Sequence, residues 1–515
     1  MGAKEEPRPS FVRRAIELAL FLLVLLVPLA AVWGASSLAA LWSGQRDLAL
    51  VLGLSMFPLL PGLWELVAWR RRQRATVQRP RILTLIDRLT LRTLTIALAF
   101  LVPMSIAWPA PLFQALTTRG DWFLDDVDAP WASGARATVL RAADGLVWMF
   151  DAVHDNPWRD DDGESVVAAT GTTPPPVPTH DTIEVTRPTG SATEPTTTTT
   201  TEPTTTTEPT TTTTTTPPEP PPPPAPWSPS QWPFPDTLHP LAHAPPDDAL
   251  VSIRTLGHYY AAQIADPVER AKAIHDYVAD HVAYDVASYR SGHYPPQTAE
   301  ATFRTHLSVC AGYARLFEAL GTAAGLHVET VVGDARTAVG DADGHAWNAI
   351  ELDGSWWLVD TTWDAGTVDG DTFTPRYRSE YFLVPPAVIG ISHFPESSRW
   401  QLRETPLTRG EWNRQPLLHP AFFVAGLRLL SPDRAQVDGG PSVHAQLASD
   451  RSWGVLANLV AHDDGHRVPC DVRGAATIDV TCTLPSHGAW TVELYSSPEP
   501  FGMYPEVGSF DVSYL

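Results

Sequence analysis

Cysteine is scarce in this chain, three in 515 residues, and no Cys-x-x-Cys pair is present to start a thiolate metal site. A Gly-rich phosphate loop and a dinucleotide fingerprint are also missing, which removes the usual sequence support for nucleotide chemistry. Positive charge runs short past residue 92. The first 92 residues carry 13 basic and 6 acidic side chains, leaving 23 basic against 52 acidic in the remainder, a net of −29. A surface this acidic repels a polyphosphate, so this remainder is not expected to bind nucleic acid.

The three cysteines divide by position. Cys470 and Cys482 lie twelve residues apart across a Gly-containing, strand-rich stretch, a spacing that suits a disulfide closing a small hairpin in an oxidising compartment. Cys310 is left over. It stands in Ser308-Val309-Cys310-Ala311-Gly312-Tyr313-Ala314, where a loop becomes a helix, and is the candidate nucleophile. The competing reading is a small buried apolar residue.

Long apolar runs crowd the N-terminus. Residues 16–38 are long enough to cross about 30 Å of hydrocarbon, and 48–69 and 93–110 make two more apolar runs, the earlier of them with Glu65 near its end, so three spans are expected. Lys4, Arg8, Arg13 and Arg14 precede the first run. Arg70, Arg71, Arg72, Arg74, Arg79, Arg81 and Arg88 separate the second from the third, whereas the first loop has only Arg46 balanced by Asp47. The positive-inside rule then predicts a multi-pass protein of the cytoplasmic membrane, N-terminus cytoplasmic and everything after residue 110 extracytoplasmic. The basic loop suits anionic lipid.

Residues 116–244 read as an acidic, then Thr/Pro-rich, linker. Asp125, Asp126 and Asp128 open it, a short amphipathic helix is expected over 134–152, and threonines at 196–201 and 210–216 precede prolines at 220–224. Such composition cannot bury a core and favours extended, disordered chain.

Periodic structure resumes near residue 248. Helices are predicted over Thr255 to Ala265 and Asp266 to His281, the second with Pro267 in its first turn and Val268, Ala271, Ile274, His275 and Val278 on one stripe. His275 and His281 read as ordinary helix residues. Ser308 has the chemistry to cap a helix over 310–324, which Gly325 ends. A strand at Val328 to Val332, an Asp/Gly-rich loop at 333–344, and strands His345 to Leu352 and Ser355 to Val359 around Asp353-Gly354 follow.

A helix N-terminus favours a thiolate, and its free N–H groups can face an oxyanion formed at an attacked carbonyl. His345 begins one strand and Asp360 ends the next, so folding the hairpin brings both to one end. A two-residue turn would set His345 opposite Thr362, and reaching Asp360 then needs a diagonal contact, a bulge or a longer turn. In this reading His345 takes the thiol proton and Asp360 orients it. Gln297 is a candidate amide donor to the oxyanion, against a plain loop role; Tyr313 supports the nucleophile helix; Trp347, with Trp356, Trp357 and Trp363, packs the sheet and walls the cleft. A metal reading would use His306, Cys310, His345 and Asp360, but no compact ligand pair occurs among them, so neither metal nor cofactor is expected. From about 412 short strands return, fitting a small β-sandwich stapled by Cys470 and Cys482.

Cys310-Ala311-Gly312-Tyr313-Ala314, Gly344-His345-Ala346-Trp347-Asn348 and Val359-Asp360-Thr361-Thr362-Trp363-Asp364 resemble, in order, the three core motifs of the transglutaminase-like superfamily. The lead-in Ile274-His275-Asp276-Tyr277-Val278 is similar too. Tyr381-Phe382-Leu383, His393-Phe394-Pro395, Trp400-Gln401-Leu402 and Pro406-Leu407-Thr408 resemble the extension of the kyphoscoliosis peptidase-like branch. The resemblance spans roughly 248–425. It implies an α+β papain-like core with a Cys310, His345 and Asp360 triad.

The expected architecture is therefore a three-span transmembrane anchor at 1–115, the linker at 116–244, a catalytic domain at 245–411 and the sandwich at 412–515. The expected activity is thioester-forming thiol peptidase or amidohydrolase chemistry on envelope peptides or proteins. The alternatives are a cross-linking transglutaminase and a cell-wall or division scaffold that binds peptide without turnover. The Ala/Arg/Asp/Gly/Pro bias fits a high-GC, actinobacterial source.

Overall fold

The computed structural model describes residues 11–43, 46–74, 83–125, 127, 129–151, 156–158, 166–167, 182–185, 228–338 and 341–514. Three stretches, Glu17–Trp42, Arg46–Gln73 and Leu85–Ala107, are helices long and apolar enough to cross a membrane. The third starts eight residues before its apolar run. A capping box between Thr84 and Asp87 begins it, and Glu65 of the second helix pairs with Arg88 and Arg92, so charged residues extend the helical pair.

The described parts of the expected linker are folded onto their surroundings. The predicted helix at 134–152 is two pieces, Ala132–Asp144 and Val147–Asp151. Asp121 is fully buried between Arg136 at 2.9 Å and Arg434 at 2.8 Å, and Asp144 meets Arg414 at 3.3 Å. Thr182–Val185 pairs antiparallel with the C-terminal strand Gly502–Tyr514. Trp122, Leu140, Trp158 and Phe234 are buried. Acidic composition hid these apolar anchors and the arginines that neutralise the carboxylates. The Thr/Pro tract at 196–224 lies outside the described residues.

The core places helices Ile253–Gln263, Pro267–His281 and Cys310–Ala323 on one face of a four-stranded antiparallel sheet. Asp266 caps the second helix, its carboxylate accepting the Val268 and Glu269 N–H groups, and the predicted apolar stripe is buried. Strand order is His393–Pro395, His327–Ala338, Asp341–Leu352, Ser355–Val359. A second apolar layer, including Trp347, Leu358, Tyr381, Ile389 and Trp400, covers the other face.

The loop expected at 333–344 is instead mostly strand, because the two long strands pair from His327↔Glu351 to Ala335↔Asp343 and again at Ala338↔Asp341. Its polar residues are accommodated there. Asp334 pairs with buried Arg409 at 2.5 Å. Gly333 lets the edge strand come close, since a Cβ would stand 2.3 Å from the Phe394 carbonyl oxygen.

Beyond residue 412 one sheet contains Gly454–Ala461, Gly488–Ser497 and Gly502–Tyr514, and another Leu427–Ser431, Ser442–Ser449, Asp471–Gly474 and Thr477–Thr483. Both contribute to one apolar cluster. A disulfide joins Cys470 to Cys482 beside the hairpin formed by Asp471–Gly474 and Thr477–Thr483.

Candidate active site

Cys310 is the first residue of its helix and is 4% exposed. The turn into that helix is organised by Gln297 rather than by a Ser308 cap. Ser308 lies on the short strand Leu307–Ser308, paired parallel with Ala283–Tyr284, and extended Val309 takes the cap position without a side-chain hydrogen bond. The Ser308 hydroxyl donates to Gln297 Oε1 at 2.6 Å and the Val309 N–H donates to the same oxygen at 3.0 Å. Gln297 Nε2 donates to the Pro295 carbonyl at 2.8 Å, so this amide anchors the lead-in instead of facing an oxyanion. A buried carboxamide needs partners at both ends, and the local backbone supplies them.

Tyr313 donates its hydroxyl to the Val282 carbonyl at 2.5 Å, tying the Cys310 helix to the end of helix Pro267–His281. Gly312 permits the close approach of the lead-in strand: a Cβ there would stand 1.8 Å from Ser308 Oγ and 2.3 Å from Thr302 Oγ1. Gly312→Ala is expected to destabilise the domain by about 1–3 kcal/mol through overpacking. Thermal unfolding against wild type checks it; an unchanged midpoint would show that the loop relaxes freely.

His345 arrives from the facing strand. Asn348, three residues on, donates its amide to the Ala314 carbonyl at 2.9 Å and so fixes that strand to the nucleophile helix. The His345 ring lies 5.9 Å from Trp347, nearly parallel to it, and 5.7 Å from Trp363. His345 Nε2 meets Asp360 Oδ2 at 2.7 Å. Cys310 lies close enough to the same imidazole to raise its proton affinity. Three expected residues thus converge, with Asp360 on Nε2 of His345 and Cys310 beside the same ring.

The hairpin register explains the convergence. Asp353 and Gly354 both have positive φ, 52° and 74°, and form a two-residue turn with Leu352 paired to Ser355. Strict pairing stops at Asn348↔Val359. Asp360 then reaches His345 diagonally, its backbone N–H donating to the Tyr381 carbonyl at 3.1 Å.

Electrostatics favour a charged site. Burial opposes protonation of His345, but Asp360 and then Cys310 outweigh it and push the imidazole up to about 10. Burial would raise Asp360 too, yet His345 and the surrounding hydrogen bonds hold its carboxyl well below the usual range. Asp360 Oδ1 accepts the Thr362 N–H at 2.8 Å and the Trp363 N–H at 3.3 Å.

A second histidine was missed as a site residue. His393 Nε2 lies 3.0 Å from Asp360 Oδ2, and Nδ1 lies 2.9 Å from Ser392 Oγ. Burial dominates its surroundings and holds the ring down at about 4, so at neutral pH it is an uncharged donor to Asp360. The only sequence signal was its place in His393-Phe394-Pro395; nothing local says that this short strand pairs with residues 333–335.

His275 was also underread. Its ring is fully buried, with Nδ1 at 2.9 Å from Asp276 and Nε2 at 3.0 Å from Asp364. Burial disfavours its charge, but the two carboxylates raise its proton affinity. Asp364 in turn accepts the Tyr381 N–H at 2.9 Å, which fixes the segment carrying Asp360. His281 stacks on Tyr277 at the helix end.

Donor atoms of His345, Asp360 and His393 lie within 4.8 Å of one another, a geometry that a metal ion could use. Both imidazoles already direct Nε2 to the same Asp360 oxygen, so an ion would have to displace those hydrogen bonds. His306, in the earlier ligand set, instead directs Nδ1 to the His281 carbonyl at 3.0 Å.

Residues 254–361 match the family described as the Transglutaminase-like superfamily. Kyphoscoliosis peptidase from Homo sapiens is 33% identical over 180 residues, covering 33% of this chain and 27% of that protein. Hillarin from Drosophila melanogaster is 29% identical over 136 residues, covering 22% of this chain and 16% of the relative. The chain thus spans about a quarter of the human relative's length. A solved structure described as "Crystal structure of a TGase" shares 21% identity over 23% of this chain and 33% of that chain, with a TM-score of 0.18.

Proposed function

We propose that this chain, which carries a transglutaminase-like superfamily domain, is an extracytoplasmic thiol peptidase or amidohydrolase tethered to the cytoplasmic membrane. The observation that carries the reading is the convergence of Cys310, His345 and Asp360, with Cys310 at the start of its helix acting on the imidazole whose Nε2 is held at 2.7 Å by Asp360. His345 accepts the Cys310 proton, and the thiolate attacks an amide carbonyl carbon. Free N–H groups at the start of the helix stabilise the oxyanion. Its collapse expels the amine, protonated by His345, and leaves a thioester on Cys310. Water, deprotonated by His345, then releases the acid and restores the thiol.

The similarity to proteins named kyphoscoliosis peptidase supports hydrolysis. The matched family supports a second fate for the same thioester, capture by an amine to cross-link proteins. Three apolar helices and the basic segments around them support an anchored domain facing away from the cytoplasm, where envelope peptides, cell-wall proteins or division proteins are the available partners.

Full-length protein in detergent, incubated with a peptide mixture with and without a primary amine, distinguishes these fates by product mass. Cleavage fragments that require Cys310 support the peptidase reading. Cys310-dependent amine adducts without fragments would replace it with cross-linking. Products identical in Cys310→Ser would overturn both, and peptide binding with no product would favour a scaffold.

A further inference from the structure

A short piece of the chain upstream of the core lies against the catalytic strand. Residues 156–158, Asn-Pro-Trp, are buried apart from a half-buried Pro157, with Asn156 3% and Trp158 4% exposed. Asn156 Nδ2 donates to the Gly333 carbonyl at 2.7 Å, and Gly333 is the residue paired directly across from His345. Asn156 Oδ1 accepts the Trp158 N–H at 3.0 Å, folding the three residues into a turn. A Cβ on Gly344, the residue before His345, would stand 3.0 Å from Asn156 Oδ1 and 3.1 Å from Pro157 Cδ. Gly344 thus leaves the turn a floor without a side chain, and Gly333 offers it a backbone carbonyl.

The turn also reaches the nucleophile's wall. Trp158 packs edge-on against Tyr294, centroids 4.9 Å apart, and both belong to the apolar cluster that contains Cys310. Tyr284, Tyr289 and Tyr294 are each close enough to feel a charge on Cys310. The Trp158 indole N–H and the Tyr289 hydroxyl are buried without a hydrogen-bond partner among the described residues. Unpaired buried donors are costly; a peptide carbonyl entering in place of the turn would satisfy the Tyr289 hydroxyl, while the Trp158 indole leaves with the turn. Cys310 and His345 are only 4% exposed with the turn in place, so an incoming acyl group needs this space.

We propose that the groove formed by Gly333, Gly344, Tyr289 and Tyr294 is a peptide-binding site for an Asn-Pro-aromatic segment, and that residues 156–158 occupy it in place of substrate. The side-chain amide is read by the Gly333 carbonyl, proline lies on Gly344, and the aromatic ring packs on Tyr294. The assignment of this groove to substrate rests on the nucleophile reading of Cys310; peptide binding itself does not.

The test uses full-length protein in detergent. Asn156→Ala/Trp158→Ala is expected to raise the rate of Cys310 alkylation by iodoacetamide at least tenfold, read by intact mass. In that variant carrying Cys310→Ser, a fluorescent His-Asp-Asn-Pro-Trp-Arg peptide is expected to bind saturably by anisotropy, and its Asn-Ala-Ala counterpart is not. Asn156→Ala and Trp158→Ala singly stand in if the double variant unfolds. No binding of the native peptide to a folded variant overturns the proposal, even if alkylation rises, and leaves the nucleophile reading standing. Binding without faster alkylation supports the peptide site and overturns the placement of the turn in front of Cys310.

Discussion

His345→Ala is expected to cut acyl transfer by about 10²–10⁴-fold, the usual worth of a positioned acid–base group. The fold should survive, because Asp360 keeps His393 and the Thr362 and Trp363 N–H groups as donors. The deficit should depend on pH in a defined direction. His345 is raised to about 10 in the folded protein from an ordinary 6.5, so its charged partnership is fully present below about 6.5 and is lost as pH rises through about 10. Alkylation of Cys310 should therefore be slowed most near pH 6. It should approach wild-type rates above pH 9, where an ordinary thiol ionises without help. Rates measured across that range check the claim, and a ratio constant with pH would mean that His345 acts only by packing.

Asp276→Ala is expected to be the most destabilising single change in the core, costing about 3–5 kcal/mol. Lys272 is 1% exposed, and its ammonium lies 2.7 and 2.8 Å from the Asp276 oxygens, 2.7 Å from Tyr377 Oη and 3.1 Å from the Thr237 carbonyl. Without the carboxylate a buried cation keeps only neutral partners, and His275 loses one of its two anions. The damage propagates toward the site through His275 to Asp364 and the segment that begins with Asp360. Unfolding of full-length protein should shift accordingly. Lys272→Met/Asp276→Leu should recover much of the loss, since a matched apolar pair removes both charges; no recovery would point to shape rather than charge.

Much of the site was legible because its chemistry is local in sequence. Cys310 opens a helix, while His345 and Asp360 sit fifteen residues apart on a hairpin whose Asp353-Gly354 turn favours positive φ. The helix at 267–281 followed from its Asp266 cap and apolar stripe, whereas the one expected over Thr255 to Ala265 runs Ile253–Gln263 behind a Ser252 cap that the reading did not use. What escaped depends on tertiary pairing. The polar stretch at 333–344 reads as loop until Arg409 neutralises Asp334 and the edge strand packs on Gly333. His393 comes from that same edge strand, and Gln297 turned inward because the lead-in backbone claims both ends of its amide. Trp158 lay in an acidic segment whose average composition concealed one buried ring and one buried amide.

The proposed thioester on Cys310, formed with the help of His345, is open to direct detection. Its most direct measurement is intact mass of the full-length protein and of Asn156→Ala/Trp158→Ala after brief exposure to an activated acyl ester, with and without hydroxylamine. One acyl adduct that hydroxylamine removes, absent in Cys310→Ser and sharply reduced in His345→Ala, is the predicted result. No adduct in either protein, or the same adduct after Cys310→Ser, would contradict the account.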